Sequence, residues 1–106
     1  FFDNRHYFNY VEKSQQLGIN IPIIPGIKIL TNKSHIFNLP KHFHIDIPSD
    51  LAGEVMEAKN EHILDIGIEW AYRQAEELLN RNAPAIHFYI MQNSTPISLL
   101  MNKLKL

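Results

Sequence analysis

Cysteine is absent from the 106-residue chain, which excludes disulfides and thiolate chemistry and fits a reducing, cytoplasmic compartment. A long hydrophobic run is also missing. The longest apolar stretch, Ile21 to Leu30, falls far short of the roughly 20 residues that cross a bilayer, so no membrane role is expected. Neither sign of charge dominates: ten Lys and Arg face eleven Asp and Glu for a net charge of -1. The basic residues are scattered, which gives no basic face for nucleic acid. Phe1-Phe2-Asp3 carries no initiator Met and no basic leader, and reads as an internal start without a signal peptide. There is no glycine-rich phosphate loop, nucleophile motif or metal signature, and no repeat, low-complexity segment or interdomain linker.

What is present is an alternation of strand and helix patterns. Ile21 to Leu30 is β-branched and apolar, punctuated by Pro25-Gly26, which predicts a strand buried on both faces and stopped by a turn. Ala85 to Met91 predicts a second strand, bounded by turn formers on both sides. Helical patterns precede the first strand, separate the two and follow the second, the order expected of a slice of a parallel α/β sheet or barrel. A hydrophobic content of 45% is ordinary for one domain. Two or three strands do not complete a covered parallel sheet, so the chain reads as part of a larger α/β domain or as a piece that completes its sheet through a partner. The open edge favours pairing with other copies, hence a homo-oligomer.

The helices have recognisable ends. Asp3 is a natural N-cap for Asn4 to Leu17, which sets Tyr7, Phe8 and Val11 against Glu12, Lys13 and Gln16, with Gly18 in the left-handed closing position. Thr31-Asn32 offers a cap for Lys33 to Leu39, with Pro40 as its stop. Pro48 suits the first turn of another short helix. Asn60 is expected to cap Glu61 to Asn80, whose Leu64, Gly67, Ile68, Ala71, Tyr72, Ala75, Leu78 and Leu79 form an apolar stripe. Asn93-Ser94-Thr95-Pro96 ends the second strand and caps a last helix to about Lys103.

Parallel sheets bind ligands at the carboxyl ends of their strands, which points to the loops after Ile24 and Tyr89. Tyr89 stands there, where a phenol stacks on or hydrogen-bonds to a ligand or else fills the core. His42 and His44, with His35 nearby, pose a metal reading against that of loop histidines facing water. His87 lies on the opposite strand face from Phe88 and reads as a satisfied histidine between sheet and helix. Asp65 and Glu69, with Glu76 and Glu77, read as a solvated helix face rather than an acid–base pair. The helix start at Ser94 is an anion site or a plain cap.

Phe1-Phe2-Asp3, Ile23-Ile24-Pro25-Gly26-Ile27, Ile47-Pro48, Gly67-Ile68-Glu69 with Ala71, and His87-Phe88-Tyr89 together resemble the carboxyl-terminal part of methylenetetrahydrofolate reductases. The likeness covers nearly the whole chain in matching order and spacing. It implies that residues 1–106 are the carboxyl-terminal portion of a single (β/α)8 TIM barrel. Phe1-Phe2-Asp3 would end the sixth strand, and the two predicted strands would be the seventh and eighth. It also implies a flavoenzyme that reduces methylenetetrahydrofolate to methyltetrahydrofolate with NAD(P)H, in two half-reactions on one flavin face. FAD and the catalytic glutamate would be held upstream of Phe1, leaving no catalytic residue here. By the resemblance Tyr89 lines the pocket shared by folate and nicotinamide. Asn93 stands where bacterial members have a folate-contacting arginine, and Gly53 and Val55 where they place a glutamine and a phenylalanine. The alternative from another class is a non-catalytic interaction module that pairs its sheet with a partner chain.

Overall fold

Two short parallel strands organise the molecule. The computed structural model describes residues 1–90 and 93–105. β1 (Gly26–Lys28) pairs with β2 (His87–Tyr89) in a register that sets Gly26 against His87, Ile27 against Phe88 and Lys28 against Tyr89. Parallel pairing requires a long crossover. Here it consists of α2 (Ser34–Phe43), α3 (Ser49–Glu57), a 3₁₀ turn (Asn60–His62) and α4 (Ile63–Asn80). α1 (Asn4–Gln16) precedes β1 and α5 (Thr95–Leu104) follows β2.

Both strands are shorter than their apolar runs. Pro22 and Pro25 have no N–H to give to a ladder, and Ile21 and Ile24 are 71% and 55% exposed. Gly26 opens the strand instead of turning it: the Pro25 carbonyl accepts from His87 N at 2.9 Å, and pairing continues to Lys28. Met91, at the end of the expected second strand, lies outside the described residues. On the other edge of β1 the Phe1 nitrogen donates to the Gly26 carbonyl at 3.4 Å. Phe1-Phe2 thus lies beside β1, as a preceding strand would, but this one bond does not make a ladder.

The helices explain the rest of the core. In α1 the Asp3 carboxylate accepts from Arg5 N at 2.9 Å and Gly18 closes the helix at φ 80°. Tyr7 anchors its inner face, donating to the Ile23 carbonyl at 2.7 Å. α2 does not stop at Pro40, contrary to the sequence expectation. The ring forfeits one helical hydrogen bond, yet the Pro40 carbonyl accepts from His44 N at 3.1 Å, and the helix ends only where His44 turns left-handed at φ 54°. Asn60 does not cap α4 either; it begins the 3₁₀ turn, and α4 starts at Ile63, which is buried. The α4 stripe is centred on Gly67, Ala71, Gln74 and Leu78, so Leu79 rotates out to 43% exposure while Gln74 goes in. Gln74 is kept there by hydrogen bonds: its Nε2 donates to the Phe1 carbonyl and to Asn4 Oδ1, and Asn4 Nδ2 donates to the Gln74 carbonyl and to Glu77 Oε1.

Two apolar clusters result. One joins α1, β1, α4 and α5 through Tyr7, Ile27, Ile68, Ala71, Leu78 and Leu100; the other joins α2, α3 and the start of α4 through Phe2, Leu30, Leu39, Leu51, Val55 and Ile63. α4 serves both because it lies directly on β1. A Cβ at Gly67 would stand 1.8 Å from the Leu30 carbonyl oxygen, a backbone atom that has no rotamer to escape into. Gly67→Ala is therefore expected to destabilise the domain carrying this segment by about 3 kcal/mol, read as a lowered denaturant midpoint, with Ala71→Gly as a control at a site without this contact.

Asp3 yields a pH prediction. Its carboxyl is lowered to about 2, first by the Arg5 side-chain hydrogen bond. Its unfolded value is about 3.9. A depressed carboxylate stabilises the fold above the unfolded pKa, and that contribution drains away as pH falls through the folded value. Wild-type protein should lose α1 stability as pH falls from about 4 to about 2, and Asp3→Asn should cap the helix without that pH dependence. Helical circular dichroism against pH distinguishes the two.

Candidate functional site

The two strand faces have opposite characters. Ile27 and its register partner Phe88 turn toward the helices, where Ile27 is buried and Phe88 packs on the first cluster. Alternation sends Gly26, Lys28, His87 and Tyr89 to the other face. His87 is exposed there, so it does not sit between sheet and helix as the sequence led us to expect. Its ring meets the edge of Tyr89 at 4.7 Å between centroids.

At the carboxyl ends of the strands this face opens into a cleft of about 910 Å³. Tyr89 and Asn93, two of the sequence-predicted residues, both line it. Tyr89 is 55% exposed and lies across β1: a Cβ on Gly26 would come within 2.7 Å of its ring. Gly26 is therefore what allows the phenol to lean over the neighbouring strand. Asn93 has a second duty, since its Oδ1 accepts from Thr95 N at 3.0 Å at the start of α5. That bond occupies an amide on which the anion reading of the Ser94 helix start depended.

Gly53 and Val55 are not brought to the cleft. Both lie on α3, where Val55 is fully buried in the second cluster and Gly53 faces solvent. In its place α2 reaches the cleft, through His35, Leu39 and Phe43, beside Leu64 of α4 and Ile97 of α5. His35 and Leu39 are one helical turn apart, on the helix that immediately follows the carboxyl end of β1. That spacing, combined with the rim rule, was the available signal.

His35 is fixed in one role. Its Nδ1 accepts from Thr31 N at 3.2 Å, which leaves the ring proton of the neutral imidazole on Nε2, 3.3 Å from the Asn32 side-chain amide. Burial, and then the charge of Lys28, hold its pKa below the ordinary value. Protonation is thus disfavoured in the folded state, so stability declines as pH falls below the unfolded value of about 6.5 and the unfolded chain takes up the proton first. An NMR titration of the His35 ring should give a midpoint below about 6.5, and Lys28→Met should move it upward.

The other candidate clusters have structural duties. His42 lies inside α2 and His44 is its left-handed cap, so the extended segment on which a shared ion depended is absent. Among the described residues no group of three or more His, Asp or Glu is placed to hold a metal ion. Glu69 is ion-paired with Arg73 at 3.1 Å and with Lys103 of α5, which ties α4 to α5. No helix among the described residues is long and apolar enough to cross a membrane.

A parallel strand pair joined by a crossover of helices, with a cleft at its carboxyl ends, defines an α/β unit. Comparison with known proteins makes this specific. A sequence model of the family described as methylenetetrahydrofolate reductase matches residues 1–105, and the chain belongs to that family. It is 27% identical to methylenetetrahydrofolate reductase (NADH) 1 of Arabidopsis thaliana over 105 residues, covering 96% of this chain and 18% of that protein. Methylenetetrahydrofolate reductase 1 of Schizosaccharomyces pombe is 25% identical over 108 residues, with 100% and 18% covered. The probable methylenetetrahydrofolate reductase (NADPH) of Caenorhabditis elegans is 28% identical over 109 residues, with 100% and 16% covered. The chain thus spans less than a fifth of the length of these curated relatives.

Proposed function

We propose that this segment is the closing part of a (β/α)8 barrel, with β1 and β2 as its seventh and eighth strands, in a longer reductase. That protein reduces methylenetetrahydrofolate to methyltetrahydrofolate with a reduced nicotinamide dinucleotide. The carrying observation is the position of Tyr89: the tyrosine singled out by the family resemblance stands exposed at the carboxyl rim, over a cleft large enough for a pterin or nicotinamide ring. Phe1 beside β1 supports the barrel, because it lies on the edge away from β2, where a preceding strand would run. Family membership over residues 1–105 favours this reading over a non-catalytic interaction module.

The described residues do not fit FAD by themselves. They contain no glycine-rich phosphate cradle, and Lys28 is the one lysine or arginine lining the cleft. The flavin site belongs to other segments of the full protein. The role of this segment is to bind and orient a substrate ring: Tyr89 offers a face and a hydroxyl, His35 an imidazole held in place by Thr31 and Asn32, and Leu39 and Phe2 an apolar wall that excludes water.

The test uses the full-length protein. Wild-type enzyme should oxidise NADH or NADPH in a manner dependent on methylenetetrahydrofolate and show a flavin band near 450 nm, the cofactor supplying the hydride chemistry. Tyr89→Ala should lower kcat/KM by roughly tenfold or more through loss of ring stacking and orientation, with Tyr89→Phe retaining most of it. Absence of folate-dependent turnover in wild type would sink the reading, and an unchanged kcat/KM in Tyr89→Ala would remove Tyr89 from the site.

A further inference from the structure

Lys28 is a cation in an unusual place. It is a strand residue on the open face, opposite Tyr89 in register, and it lines the cleft. Among the described residues it makes no ion pair, and no Asp or Glu lines the cleft with it. Around it the wall is largely apolar and aromatic, with Phe1, Phe2, Leu39 and Ile97. A ligand that fills the cleft displaces water from this ammonium, a cost that an anionic group on the ligand offsets.

The neighbouring Tyr89 hydroxyl has the same preference. That hydroxyl, which stands 2.9 Å from where a Gly26 Cβ would be, provides a second donor on the same face. His35 lines the cleft with Nδ1 engaged by Thr31 N and with Nε2 3.3 Å from the Asn32 side-chain amide. Its imidazole is near enough to Lys28 for the lysine charge to oppose its protonation. A cleft furnished with an ammonium and a phenol and, among the described residues, without a carboxylate is electrostatically complementary to a ligand that carries an anionic group.

We propose that Lys28 anchors an anionic group, carboxylate or phosphate, of the ligand that enters this cleft, and so determines its preference for the charged form. The proposal rests on the function above only for the identity of the ligand. Two sources of that chemistry are at issue: the glutamyl carboxylates of a folate and the phosphates of a nicotinamide dinucleotide.

The experiment is calorimetric titration of the full-length protein, wild type against Lys28→Met and Lys28→Arg. Its ligands are methyltetrahydrofolate, a reduced pterin without the glutamyl tail, and NAD(P)H. Losing one charge-assisted contact should weaken the matching charged ligand by about tenfold in Lys28→Met. Lys28→Arg should restore most of the affinity, the tail-less pterin should be unaffected, and added salt should weaken wild type more than Lys28→Met. A loss confined to the folate assigns the carboxylate, a loss confined to the dinucleotide assigns the phosphate, and a loss for both assigns a subsite used by each in turn. Equal affinities in wild type and Lys28→Met would overturn the proposal, as would an equal loss for the tail-less pterin. Should wild type bind neither substrate, the proposed reaction fails separately. Titration with glutarate and pyrophosphate then tests Lys28 alone: binding that Lys28→Met abolishes supports the anchor, and no binding in wild type rejects it. Circular dichroism identifies a Lys28→Met protein that has lost its fold, and Lys28→Gln then takes its place.

Discussion

The contact on which the rest depends is the approach of α4 to the end of β1 at Gly67. With no Cβ in the way, the helix lies against the Leu30 carbonyl, close enough for Ile68, Ala71 and Ala75 to pack with Ile27 and Ile29 in one cluster. The same helix reaches back to the amino terminus. Trp70 Nε1 donates to the Phe2 carbonyl at 2.8 Å, and Gln74 holds Phe1 and Asn4. A single close approach therefore fixes the helical layer over the strands and pins the segment that lies along the far edge of β1. Small residues at a helix–strand contact permit this; a side chain at position 67 would push the helix off both clusters at once.

With α1 and α4 committed to one side, the sheet is left with two unlike faces. Ile27 and Phe88 are absorbed by the core, while Gly26, Lys28, His87 and Tyr89 are turned away from it. Continuous apolar runs in a parallel strand usually serve two buried faces. Here polar and aromatic residues interrupt the runs on alternate positions, which marks the second face as one that meets something other than its own helices. The cleft occurs where that face reaches the carboxyl rim and α2 folds over it, bringing His35 and Leu39 to Tyr89 and Asn93. A smaller groove, about 430 Å³, lies at the other end among the segments that precede the two strands, the end of a parallel sheet associated with stability more than with chemistry.

Much of this was legible in the residues. The order of helices and strands, the Asp3 cap, the Gly18 closure and the inner face of α1 all follow from local rules, because a cap or a helical stripe is satisfied within a few residues of itself. Tyr89 was legible as a rim residue for the same reason, a strand end beside a turn signal, whereas Asn93 was singled out by the family resemblance. The length of each strand was not legible, because a ladder needs donors from two segments some sixty residues apart, and Pro22 and Pro25 withhold theirs. The passage of α2 through Pro40 was likewise decided by what Leu39 and the residues beyond it pack against.

The sequence by itself determined the class of the chain, a parallel α/β unit related to methylenetetrahydrofolate reductases, because hydrophobic periodicity and the ordered motifs from Phe1 to Tyr89 are properties of the linear chain. Tertiary structure alone decided which residues share the cleft. It buried Val55, turned Gly53 to solvent, exposed His87, and set Lys28 and His35 beside Tyr89. The reason is physical: which way a helix faces depends on the surface it covers, and that surface is assembled from segments far apart in the chain.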